Sequence, residues 1–263
     1  FGKLEIARSR LHYAEPDFET TFVLDDLSFG RVLAWQPDEV ADFRFSGTLG
    51  DSTLSAEGTA MPFAAVNRGD IQLDLSALDL SAFETVLRDA GLPQIDGMVA
   101  ARIALTTALS ADEPPKIAIE GRIEATGVSL GLDEGALSGD RAVWSGRIAY
   151  DGAREDYLEL DGSLEAKGLR LPASDGPVSA GGLNWDGRIA LSEPDEDTMT
   201  LKLAGTAGLD GVAAGDGGSS EVTVGSVRLR GLASTVVLGP DGGFGLDQTG
   251  RVELSGIVAQ ESG

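Results

Sequence analysis

The sequence predicts a mostly-β protein: one long, curved antiparallel sheet shaped into a repeating groove, with a single short α-helix near residues 82–90. Three observations predict it. A pattern recurs four times from about residue 117, anchored on Gly121, Gly162, Gly205 and Gly250 at separations of 41, 43 and 45 residues. Around each anchor the apolar residues fall at −4, −2, +2, +4, +7 and +9. A further glycine stands where that spacing turns from even to odd. Repetition at such a period signals stacked units that bury apolar surface only against their neighbours.

The first copy carries Ile117, Ile119, Ile123, Ala125, Val128 and Leu130, and the second Leu158, Leu160, Leu164, Ala166, Leu169 and Leu171. The third has Leu201, Leu203, Ala207, Leu209, Val212 and Ala214. The fourth has Leu246, Gln248, Val252, Leu254, Ile257 and Ala259, with one polar intruder. Two-residue offsets place these side chains on one face of a strand. The opposite face carries Glu120, Arg122 and Glu124, then Glu159, Asp161 and Glu165. The odd step after +4 calls for a bulge or sharp bend, with Gly127 and Gly168 at the slip and Gly211 and Gly256 beside it.

A second strand lies between successive anchors. Trp144-Ser-Gly-Arg-Ile148 returns as Trp185-Asp-Gly-Arg-Ile189, and Leu229-Arg-Gly-Leu-Ala233 fills the same slot in the third unit. Turn chemistry at Asp151-Gly152, at 174–177 and at 239–243 separates the strands. Each strand is expected to hold about 14 residues, roughly 45–50 Å, against a usual 5–6 residues. Strands of that length suit a wide sheet curled along its length.

The first hundred residues are less regular. Strands are expected over 4–13, 22–33, 43–49, 53–61 and 97–105. Ser81 and Glu84 form a capping box for a helix over 82–90, with Phe83, Val86, Leu87 and Ala90 on one side and Gly91 as C-cap. The acidic, proline-bearing link Ala111–Pro115 divides an N-terminal β-rich section, 1–110, from the repeat section, 111–263, which continues the same sheet.

Forty-three Asp and Glu against 20 Lys and Arg give a net charge of −23. Nucleic-acid binding needs a basic footprint, so no nucleic-acid partner is expected. There is no cysteine, which removes disulfides and thiolate metal sites. No apolar run approaches the ~20 residues that span a bilayer. The chain starts at Phe1, and a longer protein with its targeting or anchoring segment upstream is expected.

Catalytic chemistry finds little support. Gly127-Val-Ser-Leu-Gly131 matches the nucleophile-elbow pattern, which needs a following helix; the repeat makes it a bending strand. The single histidine, His12, reads as a strand surface residue. The acidic run Glu193–Asp197 lacks calcium-loop spacing and reads as a solvated loop. No enzyme activity, cofactor or metal is expected. Trp144 and Trp185 occupy matching positions, either packed in a closed core or lining an open apolar trough.

Laid out in this way, the chain resembles the AsmA/TamB-like envelope proteins of diderm bacteria. The resemblance rests on Phe43-Arg-Phe-Ser-Gly47, Leu54-Ser-Ala-Glu-Gly58 with Met61-Pro-Phe63, and Gly69-Asp-Ile-Gln-Leu-Asp-Leu75. It continues through Leu78-Asp-Leu80, Ile95-Asp-Gly97 and the glycine-centred strands. It implies a periplasmic β-groove, anchored in the inner membrane by an N-terminal helix, that carries phospholipid acyl chains towards the outer membrane. Phospholipids are then the implied ligands, an outer-membrane protein a possible partner, and there are no catalytic residues to transfer. The groove lining would be Ile117, Ile119, Ile123, Trp144, Ile148, Leu158, Leu160, Leu164, Trp185, Ile189, Leu201, Leu203, Leu209, Leu229, Leu246, Val252 and Leu254. The alternative is a structural or adhesive β-repeat protein with a closed core. With only three Trp and three Tyr, a carbohydrate-active β-enzyme fits poorly.

Overall fold

The computed structural model describes residues 3–15, 18–31, 33–84, 88, 93–132, 135–173, 176–195, 198–215, 220–238 and 244–261. Thirteen strands form one antiparallel sheet in chain order, and the sheet does not close on itself. They are β1 (Leu4–Glu15), β2 (Phe18–Phe29), β3 (Ala41–Leu49), β4 (Ser52–Met61), β5 (Val66–Asp79), β6 (Ile95–Ser110) and β7 (Lys116–Leu132). Then follow β8 (Gly135–Asp151), β9 (Asp156–Leu171), β10 (Val178–Asp195), β11 (Thr198–Gly215), β12 (Ser220–Leu238) and β13 (Phe244–Glu261).

Each strand packs on its sequence neighbours. Tight turns make the meander. Gly50, at φ +59, opens the two-residue turn between β3 and β4. At the β8–β9 hairpin the Asp151 carboxylate accepts the Ala153 N–H (3.1 Å) and its carbonyl accepts the Arg154 N–H (3.0 Å), the local bonding that favours Asp in turns.

Several expectations change. The strands from β7 onward hold 16–19 residues rather than 14. β2 ends at Phe29: one more cross-strand bond, from the Gly30 N–H to the Asp42 carbonyl (2.7 Å), precedes a loop with a turn at residues 34–38. β6 is longer than 97–105, and its ladder with β7 reaches Ala108 opposite Lys116. The 111–115 link is the loop that joins β6 to β7. Of the helix expected over 82–90, Glu84 and Arg88 are α-helical, and a 3-10 turn, Ser81–Phe83, leads into them. Residues 85–87 and 89–92, including the Gly91 cap, lie outside the described residues. In place of the Ser81–Glu84 capping box, the Asp79 carboxylate accepts both the Ser81 hydroxyl (2.6 Å) and the Ser81 backbone N–H (3.0 Å).

Two rows of glycine cross the sheet. In the first, Gly121, Gly146, Gly162, Gly187 and Gly205 stand directly opposite one another from β7 to β11. A Cβ on Gly205 would lie 2.8 Å from the Gly187 Cα and would collide with the Asp186 carbonyl oxygen. Only bare backbone fits this crease.

The second row explains the odd step in the repeat. Gly127, Asp140, Gly168, Gly181, Gly211, Gly225 and Gly256 fall at one level across seven strands, each between paired residues. In alternate strands the backbone there is left-handed, with φ of +59, +64, +60 and +67 at Gly127, Gly168, Gly211 and Gly256. All seven strands take the extra residue together, so the register on both sides of the row is unchanged. The slip is thus a shared seam. At this level of the sheet a register shift, the mark of a bulge, appears only against β6, between Asp96 and Met98, because β6 has no matching extra residue; the other shifts lie elsewhere, as at Arg230–Ala233 in β12.

The chain exposes 16149 Å², whereas a compact monomer of its mass would expose about 11,000 Å². Among the described residues the buried apolar side chains are Leu33, Ala41, Val143, Ala166, Ala180 and Ala190, mostly alanine. Apart from Val143, the larger apolar side chains described in the strands are half-buried or exposed, and among the described residues no second layer encloses them.

Candidate ligand-binding face

The register turns the repeat into continuous rows running across the strands. One row is Ala101, Ile123, Trp144, Leu164, Trp185, Ala207, Leu229 and Val252, from β6 to β13. Beside it, past the glycine crease, run Leu105, Ile119, Ile148, Leu160, Ile189 and Leu203. An outer row holds Ile117, Tyr150, Leu158, Leu191, Leu201, Val236 and Leu246. On the other side are Ala125, Ala142, Ala166, Leu183, Leu209, Val227 and Leu254.

All seventeen residues expected to line the groove therefore share one face. Trp144 and Trp185 both stand opposite Leu164, two strands apart. The Trp144 indole N–H is buried and meets no acceptor among the described residues, as befits a ring held by apolar packing.

The face continues into the N-terminal section, which the repeat pattern did not reveal. Leu54, Leu75 and Ala101 extend the tryptophan row into β4 and β5, and Ala56, Leu73 and Ile103 run beside them. Phe43 and Phe45 of β3 stack on Phe29 and Phe22 at centroid distances of 5.7 and 5.8 Å. Alternation at Phe43, Phe45, Leu54 and Ala56 was the available signal. At ~4.8 Å per strand, thirteen strands make a track of about 58 Å.

The opposite face carries the charge, arranged as cross-strand pairs. Arg141 donates to Glu124 (2.6 Å), Lys202 to Asp156 (2.8 Å), and both Arg154 and Arg188 lie within 2.9 Å of the Glu159 carboxylate. The Arg141 guanidinium holds the Glu124 carboxyl below the usual carboxylate range, and the Lys202 ammonium does the same for Asp156. Val143 stands between Glu124 and Glu165, and Ala190 between Glu159 and Lys202; each is 4% exposed, buried on the charged side. Amphipathic side chains shield apolar surface in this way.

The remaining candidates stay scattered. Gly127–Gly131 lies inside β7 with no helix after it. His12 is on β1, 3.2 Å from the Thr21 hydroxyl. The acidic run begins within β10, which extends to Asp195, rather than in a loop, and Glu193 accepts the Tyr157 hydroxyl (3.2 Å). Residues 196–197 lie outside the described residues. Among the described residues no cluster of His, Asp and Glu suits a metal ion, and no helix is long and apolar enough to cross a membrane.

Comparison with protein-family models, curated proteins and solved structures gives no match. The functional argument therefore rests on the face itself: apolar, half-exposed, continuous across the strands and backed by charge.

Proposed function

We propose that this chain is a periplasmic section of a bridge-like lipid transport protein of the AsmA/TamB kind, whose apolar β-groove carries phospholipid acyl chains between the inner and outer membranes. One observation carries the reading: the apolar rows run unbroken across the strands and remain half-exposed. A carrier of extended hydrocarbon needs such a stripe and needs no dedicated headgroup pocket. Each methylene moved out of water gains about 0.8 kcal/mol, so eight laid along the face supply about 6 kcal/mol. The small side chains of Ala125, Ala142, Ala166 and Ala207 leave space beside the larger Ile and Leu.

Lipid extraction and native mass spectrometry of the purified protein test this. Co-purifying phospholipid is expected, and it should disappear in Ile123→Asp, Leu164→Asp and Leu209→Asp variants that keep the circular dichroism of the parent sheet. A lipid-free protein that also ignores added phospholipid removes the proposal.

A further inference from the structure

β13 closes the described sheet, yet its backbone matches that of an interior strand. Gly250 (φ +152) and Gly256 (φ +67) repeat the conformations of Gly205 (φ +154) and Gly211 (φ +60) in β11. β11 is hydrogen-bonded along both edges, to β10 and β12, whereas among the described residues β13 is paired with β12 alone. It runs 18 residues without proline. Leu246, Val252, Leu254 and Ile257 are 54–60% exposed, while Leu201, Ala207, Leu209 and Val212, at the same offsets in β11, are half-buried. Edge strands that end a sheet are usually shortened, bulged away or interrupted; β13 has kept full length and both interior glycines.

We propose that β13 accepts one further antiparallel strand, and that the partner follows the even-numbered strands of this sheet. In β10 and β12 two glycines stand six residues apart, Gly181 and Gly187, then Gly225 and Gly231, with the seam glycine first; in β10 both face glycines of β11, while β12 shifts register between Arg230 and Ala233. Such a strand laid on β13 sets its first glycine against Gly256 and its second against Gly250. The seam and the apolar face then extend by one strand, and Gly250 gains a glycine partner as Gly205 has in Gly187. The backbone ladder supplies the affinity, and the glycine spacing sets the register. A second β13 does not fit, because its phase change follows the first glycine. Run antiparallel, pairing Gly256 with Gly250 would place the two changes at different levels, and pairing Gly256 with Gly256 would leave Gly250 without a glycine opposite.

The probe is a synthetic peptide of residues 178–195, with two lysines added at each end for solubility, mixed with the whole chain. Saturable binding is expected, with hydrogen-exchange protection gained over residues 244–261. A peptide carrying Gly181→Val and Gly187→Val should bind at least tenfold more weakly. A peptide of residues 220–238 serves as a second probe and should behave like the first. Failure of both probes, equal binding of the valine peptide, or protection confined to β1 overturns the proposal. Concentration-dependent dimers protected at β13 without peptide overturn the choice of partner. None of these outcomes depends on lipid carriage.

Discussion

Replacing Gly205 and Gly127 by alanine separates the two glycine rows by cause. At Gly127 the added Cβ meets nothing within 4 Å, and the cost comes from φ +59 alone. Left-handed backbone costs about 1–2 kcal/mol for an L-residue, and the stiffer unfolded chain offsets about 0.4–1 kcal/mol. The net loss is about 1 kcal/mol. At Gly205 the Cβ lies 2.8 Å from the Gly187 Cα, with the Asp186 carbonyl closer still. Here β10 and β11 must part, an overpacking cost of about 1–3 kcal/mol added to that of φ +154, for a total of about 2–4 kcal/mol. At roughly 2–4 °C per kcal/mol for a domain of this size, Gly127→Ala should lower Tm by about 2–4 °C and Gly205→Ala by about 5–15 °C. Thermal unfolding followed by circular dichroism reads both. Equal shifts, or a milder effect at Gly205, would refute the crease. Gly127→Asn should recover most of its small loss, because Asn tolerates the left-handed region.

Three other outcomes follow from the two faces. Val143→Ala removes buried surface beneath the charged stems and should cost about 1–2 kcal/mol; exposed Val252→Ala should cost under about 0.5 kcal/mol, and equal losses in urea unfolding would show that the charged side does not cover Val143. The lowered pKa values of Glu124 and Asp156 contribute stability that is full above the ordinary carboxylate range, about 4–4.5, and is lost as pH falls through the lowered folded values. A Glu124→Gln/Asp156→Asn double variant should therefore melt below the parent at pH 7 and converge with it in strong acid; a gap that persists there would contradict the pairing. With a net charge of −23, the protein should load zwitterionic phospholipid more readily than anionic phospholipid at low salt. Matched loading from vesicles of the two kinds would remove that electrostatic argument.

The apolar face was legible because strand geometry has a period of two, so Ile117, Ile119 and Ile123 announce their common side without any tertiary knowledge. The strand between anchors was equally plain from the recurrence of Trp144 as Trp185. The seam was visible only in part. Gly127 and Gly168 marked an odd step, but its shared nature depends on Asp140 and Gly181 standing opposite them, and that register is set by pairing between distant residues. Burial of Val143 escaped for a similar reason, since its cover comes from long side chains on neighbouring strands. The capping-box reading failed because Asp79, two residues upstream, competes for the Ser81 hydroxyl. The N-terminal part of the face lies outside the four-copy period, so its alternation at Phe43, Phe45, Leu54 and Ala56, legible beside Gly47 and Gly58, was not joined to the groove residues.

Leu164 and Glu165 are adjacent in β9 and point to opposite sides of the sheet, Leu164 between the two tryptophans and Glu165 opposite Val143. A photo-crosslinking amino acid placed at each in turn, in protein exposed to phospholipid vesicles, tests the central claim with a single pair of samples. Lipid adducts should form at 164 and be absent at 165. Equal labelling at the two positions, or none at 164 in a folded protein, would contradict a hydrocarbon track on the apolar face.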